Sequence, residues 1–215
     1  MPTPLAIMTN MGSIAAQKNL SGSSRSMQKS IERLSSGLRL NSAADDAAGM
    51  AVATGLRAQL GGYQQASRNA NDAVAIMNTA EGGLNSVSDT LIRLRELAVQ
   101  SASDGITDTE RGYIETEFDD LVQEINRVSN VTEYNGVKLL NGTAGNSGAV
   151  VFQVGTRSSG NDRVNVTLSK MDASALGISG SSVSTLAAAQ SAIAEIDSGI
   201  STLASHRATI GSTIN

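Results

Sequence analysis

The sequence predicts a mainly α protein, an elongated rod of long coiled-coil-like helices carrying one β-hairpin. Three observations predict it. Apolar residues recur at alternating spacings of three and four over long stretches, which is the period of one helix face. Aromatic residues make up only 2% of the chain and Trp is absent, so the interior must consist of narrow seams of Ala, Val, Ile, Leu and Met. The pattern switches to period two only in one stretch, after about residue 149.

The first helical segment carries Ile7, Met11 and Ile14, then, after a skip, Leu20, Met27, Ile31, Leu34 and Leu38. Pro2 and Pro4 can only precede it. The second segment is the most regular. Ala66, Ala70, Ala73, Met77, Ala80, Leu84, Val87, Leu91, Leu94 and Ala98 form a heptad seam, and its Ala-lined first half admits a close partner helix. Gly82-Gly83 interrupts this seam at a cost of about 1 kcal/mol per Gly relative to Ala. A helix over 56–102 would be roughly 70 Å long at ~1.5 Å per residue.

Asp104-Gly105 marks a turn. Thr107 followed by Glu110 fits a capping box that opens a helix over 108–130, with Ile114, Phe118, Leu121, Ile125 and Val128 on its seam. Asn135-Gly136 and Asn141-Gly142 punctuate the stretch beyond this helix. Val150, Phe152 and Val154, then Val164, Val166 and Leu168, alternate with other residues around a turn-forming stretch, which predicts a hairpin over 149–168. After a Gly/Ser linker, Leu186, Ala189, Ile193, Ile196, Ile200, Leu203, Ile210 and Ile214 line a last helix over 184–215, their seam broken only by Arg207. That seam is still apolar at Asn215 with no Gly cap, so the expectation is a chain cut inside a helix.

Composition narrows the function. The net charge of -4 is not that of a nucleic-acid binder. With no Cys there is no disulfide framework or thiolate site, and with His206 as the sole His a zinc site or a Ser-His-Asp triad has almost nothing to draw on. No apolar run reaches the length of a membrane span, and the first residues lack the basic start and continuous apolar stretch of a secretory signal. Asp45-Asp46 and Asp119-Asp120 read as solvated helix faces, since adjacent helical residues point apart. The expectation is a protein with no catalytic residues, no metal and no cofactor, which works by burying apolar seams against partners.

Several stretches together carry a family resemblance. Asn19-Leu20-Ser21-Gly22-Ser23 is followed by Ile31-Glu32-Arg33-Leu34-Ser35-Ser36-Gly37-Leu38-Arg39-Leu40-Asn41-Ser42-Ala43-Ala44-Asp45-Asp46-Ala47-Ala48-Gly49. Leu94 to Gln100 (Leu-Arg-Glu-Leu-Ala-Val-Gln), Glu124 to Ser129, Tyr134 to Gly142 and Arg207 to Gly211 come after it in order. In this the chain resembles bacterial flagellin over nearly its whole length. The resemblance implies a structural subunit of the flagellar filament, extracellular, passed through the flagellar type III export apparatus without a cleaved signal peptide. It implies an N-terminal inner-core helix and connecting spoke over 1–45 and a rod domain over 46–215. Only a few Gly/Ser residues separate Leu176-Gly177-Ile178 from the last helix, and the chain stops soon after Arg207-Ala208-Thr209. The expectation is therefore a flagellin lacking the variable outer domain and the C-terminal inner-core helix.

The assembly surface expected from this reading is Ile7, Met11, Ile14, Leu20, Met27, Ile31 and Leu34, left without an intramolecular partner. The resemblance also implies recognition by a host Toll-like receptor at Arg93, Leu97 and Glu117. Arg93 and Leu97 are four apart and share one helix face bordering the seam, expected to be partly exposed. The implied partners are other subunits in a homopolymer, hook-associated and export proteins and the receptor, with no nucleic acid and no membrane insertion. The competing readings are a flagellin-like hook–filament junction protein and a core fragment acting only as receptor ligand.

Overall fold

The computed structural model describes residues 10–214. The chain divides into two compact units, Met1–Gly61 and Gly62–Asn215. Each is described by itself.

In the first unit, helix α1 spans Met11–Ser36. The Asn10 side chain accepts from the Ser13 N–H at 3.1 Å, which satisfies one of the free donors of the first turn. The helix stops at Gly37, whose φ of 68° is the left-handed conformation that a residue without Cβ adopts at no steric cost. A short bend comes next. Lys29 pairs with Asp45 across it, and that contact holds the Asp45 carboxyl below the usual carboxylate range. Helix α2, Ala47–Ser101, opens immediately after, with Asp46 Oδ1 accepting from the Gly49 N–H at 2.9 Å. The helix thus begins nine residues before the predicted 56, because Asp46 supplies its cap. Asp45 and Asp46 are not a solvated helix face. One is an ion-pair partner in the bend and the other ends the bend.

In the second unit, the remainder of α2 packs with α3 (Asp108–Val131) and α4 (Leu186–Ile214). The seam of α2 is buried, with Met77, Ala80, Leu84, Val87, Leu91, Leu94 and Ala98 each at most 2% exposed. It shares one cluster with Phe118 and Ile125 of α3 and Ala189, Ala192, Ile196, Leu203 and Ile210 of α4. Arg95 meets Asp197 at 2.7 Å and Arg207 meets Glu81 at 3.5 Å, so α4 runs antiparallel to α2. The Arg that breaks the last seam is therefore an ion-pair partner across the helix pair. Gly82-Gly83 does not interrupt α2. A Cβ on Gly83 would lie 2.7 Å from the Thr132 hydroxyl and 2.8 Å from a Leu140 methyl, so its missing side chain lets the segment after α3 approach the helix.

The capping box forms as predicted. Thr107 N–H donates to Glu110 at 2.8 Å and the Glu110 N–H donates to the Thr107 hydroxyl at 3.4 Å. Two antiparallel pairs are present among the described residues, where one was expected. The added pair is β1 (Glu133–Tyr134) with β2 (Val137–Lys138), turned by Asn135 at φ 49° and Gly136 at φ 78°. The expected hairpin pairs β3 (Ala149–Gln153) with β4 (Arg163–Thr167), Phe152 opposite Val164. It leans on α2, where the Asn69 side-chain amide donates to the Gln153 carbonyl at 2.9 Å. The irregular stretches also enter the core, through Leu139, Leu140, Ala144, Met171, Ala173, Leu176, Ile178 and Val183.

Candidate assembly and recognition surfaces

The expected assembly residues lie on α1, except Ile7, which lies outside the described residues. No residue of α1 is buried. Met11 is 73% exposed, Ile14 51%, Leu20 72%, Met27 64%, Ile31 60% and Leu34 86%. Within the first unit the exposure continues along the start of α2 through Val52, Leu56 and Leu60, spaced by four. Single exposed apolar residues are ordinary, whereas every large apolar side chain of this helix lies in water.

The skip between Ile14 and Leu20 has a geometric consequence. At 3.6 residues per turn, Leu20, Met27, Ile31 and Leu34 fall within an arc of about 60°, whereas Met11 and Ile14 lie on roughly the opposite side. By spacing alone they read as one resumed stripe. They are two half-stripes, which cannot both face one straight partner helix.

In the second unit, the expected recognition residues separate into two kinds. Arg93 on α2 reaches across to α3, where its Nη2 and Nε donate to Glu117 Oε1 at 2.7 and 3.1 Å. It also donates to Glu96 at 3.1 Å. The Glu117 bond, then that to Glu96, raises the Arg93 pKa further above its ordinary value. The two side chains remain about half exposed, at 48% and 49%. Leu97 differs from the expectation of partial exposure. It is 1% exposed, in the same buried cluster as Leu94, Ala98 and Phe118. Leu94, Leu97 and Ala98 sit at i, i+3 and i+4, so the stripe is wide enough there to turn Leu97 inward.

One structural residue carries almost no signal in the sequence. Arg111, one turn into α3, is 5% exposed. Its guanidinium donates to the carbonyls of Ser101 at 2.8 Å, Ser103 at 2.7 Å and Ile106 at 2.8 Å, and to the Asp108 carboxylate at 3.1 Å. A cation thus closes the C-terminal end of α2, where free carbonyls and the helix dipole concentrate negative charge. Ser101 also donates to the Val183 carbonyl at 2.6 Å, and Val183 N–H donates to Glu115, so the stretch before α4 is tied to both neighbours. The only sequence signal for Arg111 is its place one turn after the capping Thr107.

The model of the bacterial flagellin N-terminal helical region matches residues 7–145. Flagellin 1 of Proteus mirabilis is 43% identical over 172 residues, covering 80% of this chain and 46% of that protein. The chain spans less than half the length of the curated relatives it matches. Among solved structures, Bacillus cereus flagellin superposes with a TM-score of 0.58 at 29% identity, covering 69% of this chain and 83% of the other. A putative flagellar hook-associated protein of Vibrio parahaemolyticus superposes with a TM-score of 0.60 at 21% identity, covering 81% and 90%, a likeness of fold. Matched over more than half its length, the chain belongs to the bacterial flagellin family.

Proposed function

We propose that the chain is a structural, non-catalytic subunit of the bacterial flagellar filament that self-assembles through its terminal helices. The observation that carries this reading is the contrast along one chain: every large apolar residue of α1 is in water, while the seam of α2 is closed by α3 and α4. Burying one Leu or Ile contributes about 1.5–3 kcal/mol, so a repeated contact through α1 supplies the drive for a polymer. Such a contact is heterologous, and it propagates into a helical filament when it does not close. In this reading residues 1–45 are the inner-core helix and spoke, and residues 46–215 are the rod. The protein works outside the cell, reached by flagellar export without a cleaved signal peptide, with hook-associated and export proteins as further partners.

The test is electron microscopy of the purified chain at high concentration, with and without filament seeds. Elongation of seeds is expected. Monomers in both conditions would overturn the reading of this chain as a self-sufficient building block. A hook–filament junction role would cap seeds without elongating them. The relatives above 40% identity are named flagellins, and the hook-associated likeness at 21% extends to fold alone, which favours the filament role.

A second reading concerns the host. Arg93 and Glu117 form a joined, half-exposed ion pair between α2 and α3, a fixed charge pattern that a Toll-like receptor could read. Leu97 is buried in the core cluster that includes Phe118 of α3, so in this reading it supports the helix that carries Arg93. A receptor reporter assay with Arg93→Ala should lose signalling, and unchanged signalling would overturn the mapped site.

A further inference from the structure

Residues 18–36 of α1 form a cationic amphipathic surface. At 3.6 residues per turn, Lys18, Arg25, Lys29 and Arg33 fall within an arc of about 80°, centred opposite the arc of Leu20, Met27, Ile31 and Leu34. Both arcs are open, since no residue of α1 is buried. The acidic groups nearby are few. Glu32 flanks the cationic side, and Asp45, across the bend, pairs with Lys29. Lys18 and Arg25 face solvent with no carboxylate partner among the described residues, and Arg25 bonds only to Ser21. Arg33 is exposed and lies near enough to Asp45 for its charge to act on that carboxyl without forming an ion-pair contact. The charge is also segregated. The first unit holds Lys18, Arg25, Lys29, Arg33, Arg39 and Arg57 against Glu32, Asp45 and Asp46, in a chain whose total charge is -4.

We propose that, in the unassembled chain, residues 18–36 of α1 dock lengthwise on anionic phospholipid surfaces. The apolar arc sinks into the boundary between headgroups and acyl chains, as interfacial helices do, and the cationic arc stays on the headgroup side. No described helix is long and apolar enough to cross a membrane, so the helix lies on the surface. The placement of charge favours a lipid over an acidic protein. Cations opposite the seam point away from any helix packed on the seam, so its carboxylates cannot reach them. The field of an anionic membrane extends about 8–10 Å into solution at ordinary salt, far enough to act on the outer side of a helix embedded by its other side. The narrow arc without aromatic anchors makes the attachment weak without charge. Docking does not depend on polymerisation, which buries the same residues and competes with it.

The experiment is co-sedimentation of the monomeric full chain with vesicles of phosphatidylcholine alone, or with about one third phosphatidylglycerol. Binding is expected only to the anionic vesicles, and it should fall as salt is raised. Replacing Lys18, Arg25 and Arg33 with Gln should weaken binding about fivefold or more per cation removed. Leu20→Ser with Leu34→Ser should abolish it. All five positions are on a helix with no buried residue, so circular dichroism should be unchanged, and sedimentation without vesicles reports assembly separately. Equal binding to both vesicle types, no binding to either, or retention only by acidic proteins would each overturn the proposal.

Discussion

From Met77 to Ala98 in α2, the seam residues are at most 2% exposed, whereas the apolar residues of α1 from Met11 to Leu34 are 51% to 86% exposed. Both stretches use helical spacings of three, four or seven, broken in α1 only between Ile14 and Leu20. What differs is supply. The second unit provides two more helices, a hairpin and several irregular segments to cover its seam, and among the described residues the first provides nothing that does. Periodicity therefore specifies that a seam exists and leaves open what closes it. The closed seam is the core of the second unit, and the open one is the surface proposed above for assembly.

Removing core volume should break this contrast most sharply. Phe118→Ala, at a site 0% exposed, should destabilise the second unit by about 3–5 kcal/mol in denaturant unfolding. Leu34→Ala in α1 should change it by no more than about 0.5 kcal/mol. Arg111→Ala should come next, at roughly 3 kcal/mol, because it strands the buried carbonyl of Ser101 and removes the bonds to the part-buried carbonyls of Ser103 and Ile106. A Lys there should recover only part of the loss, since an ammonium cannot reproduce the planar fork.

A smaller effect belongs to the cap of α3. Thr107→Ala should cost about 1 kcal/mol. Its partner adds a pH signature. The bond from the Thr107 N–H, reinforced by the hydroxyl, holds the Glu110 carboxyl below its usual range. A carboxylate depressed in the folded state stabilises the fold above its unfolded pKa, and that contribution is lost as pH falls through the folded pKa. The stability gap between the parent chain and Glu110→Gln should therefore be present at neutral pH and close below the ordinary Glu range. The smallest effect is at Arg93. Arg93→Gln should leave unfolding unchanged, because the ion pair with Glu117 is half exposed and solvent screens it. Any large loss there would mean that the pair holds α2 and α3 together.

Much of the second unit was legible. The heptads from Ala66 to Ala98 and the Thr107–Glu110 box are local patterns with one physical reading each. What was missed depends on tertiary approach. Gly83 reads as a weak point in a helix until Thr132 and Leu140 are seen against it. The β1–β2 pair has two residues per strand, too few for a period. Arg111 binds backbone carbonyls, which leave no mark in the side-chain sequence. Leu139, Leu140 and Leu176 enter the core from irregular segments that no periodicity describes. At the candidate surfaces, the apolar spacing on α1 marks the residues that are exposed, but the reversal of face between Ile14 and Leu20 required counting residues around the helix. Leu97 went the other way, because its place in the seam outweighs its distance from Arg93.

The most direct test of the contrast between an open and a closed seam is hydrogen exchange, resolved along the chain, on the unassembled protein. Amides of α1 beyond the first turn should exchange with little protection, and those from Leu84 to Ala98 should exchange orders of magnitude more slowly, at the rate of global unfolding of the second unit. Equal protection of α1 and that stretch in the isolated chain would contradict the account, because the α1 seam would already have found its partner.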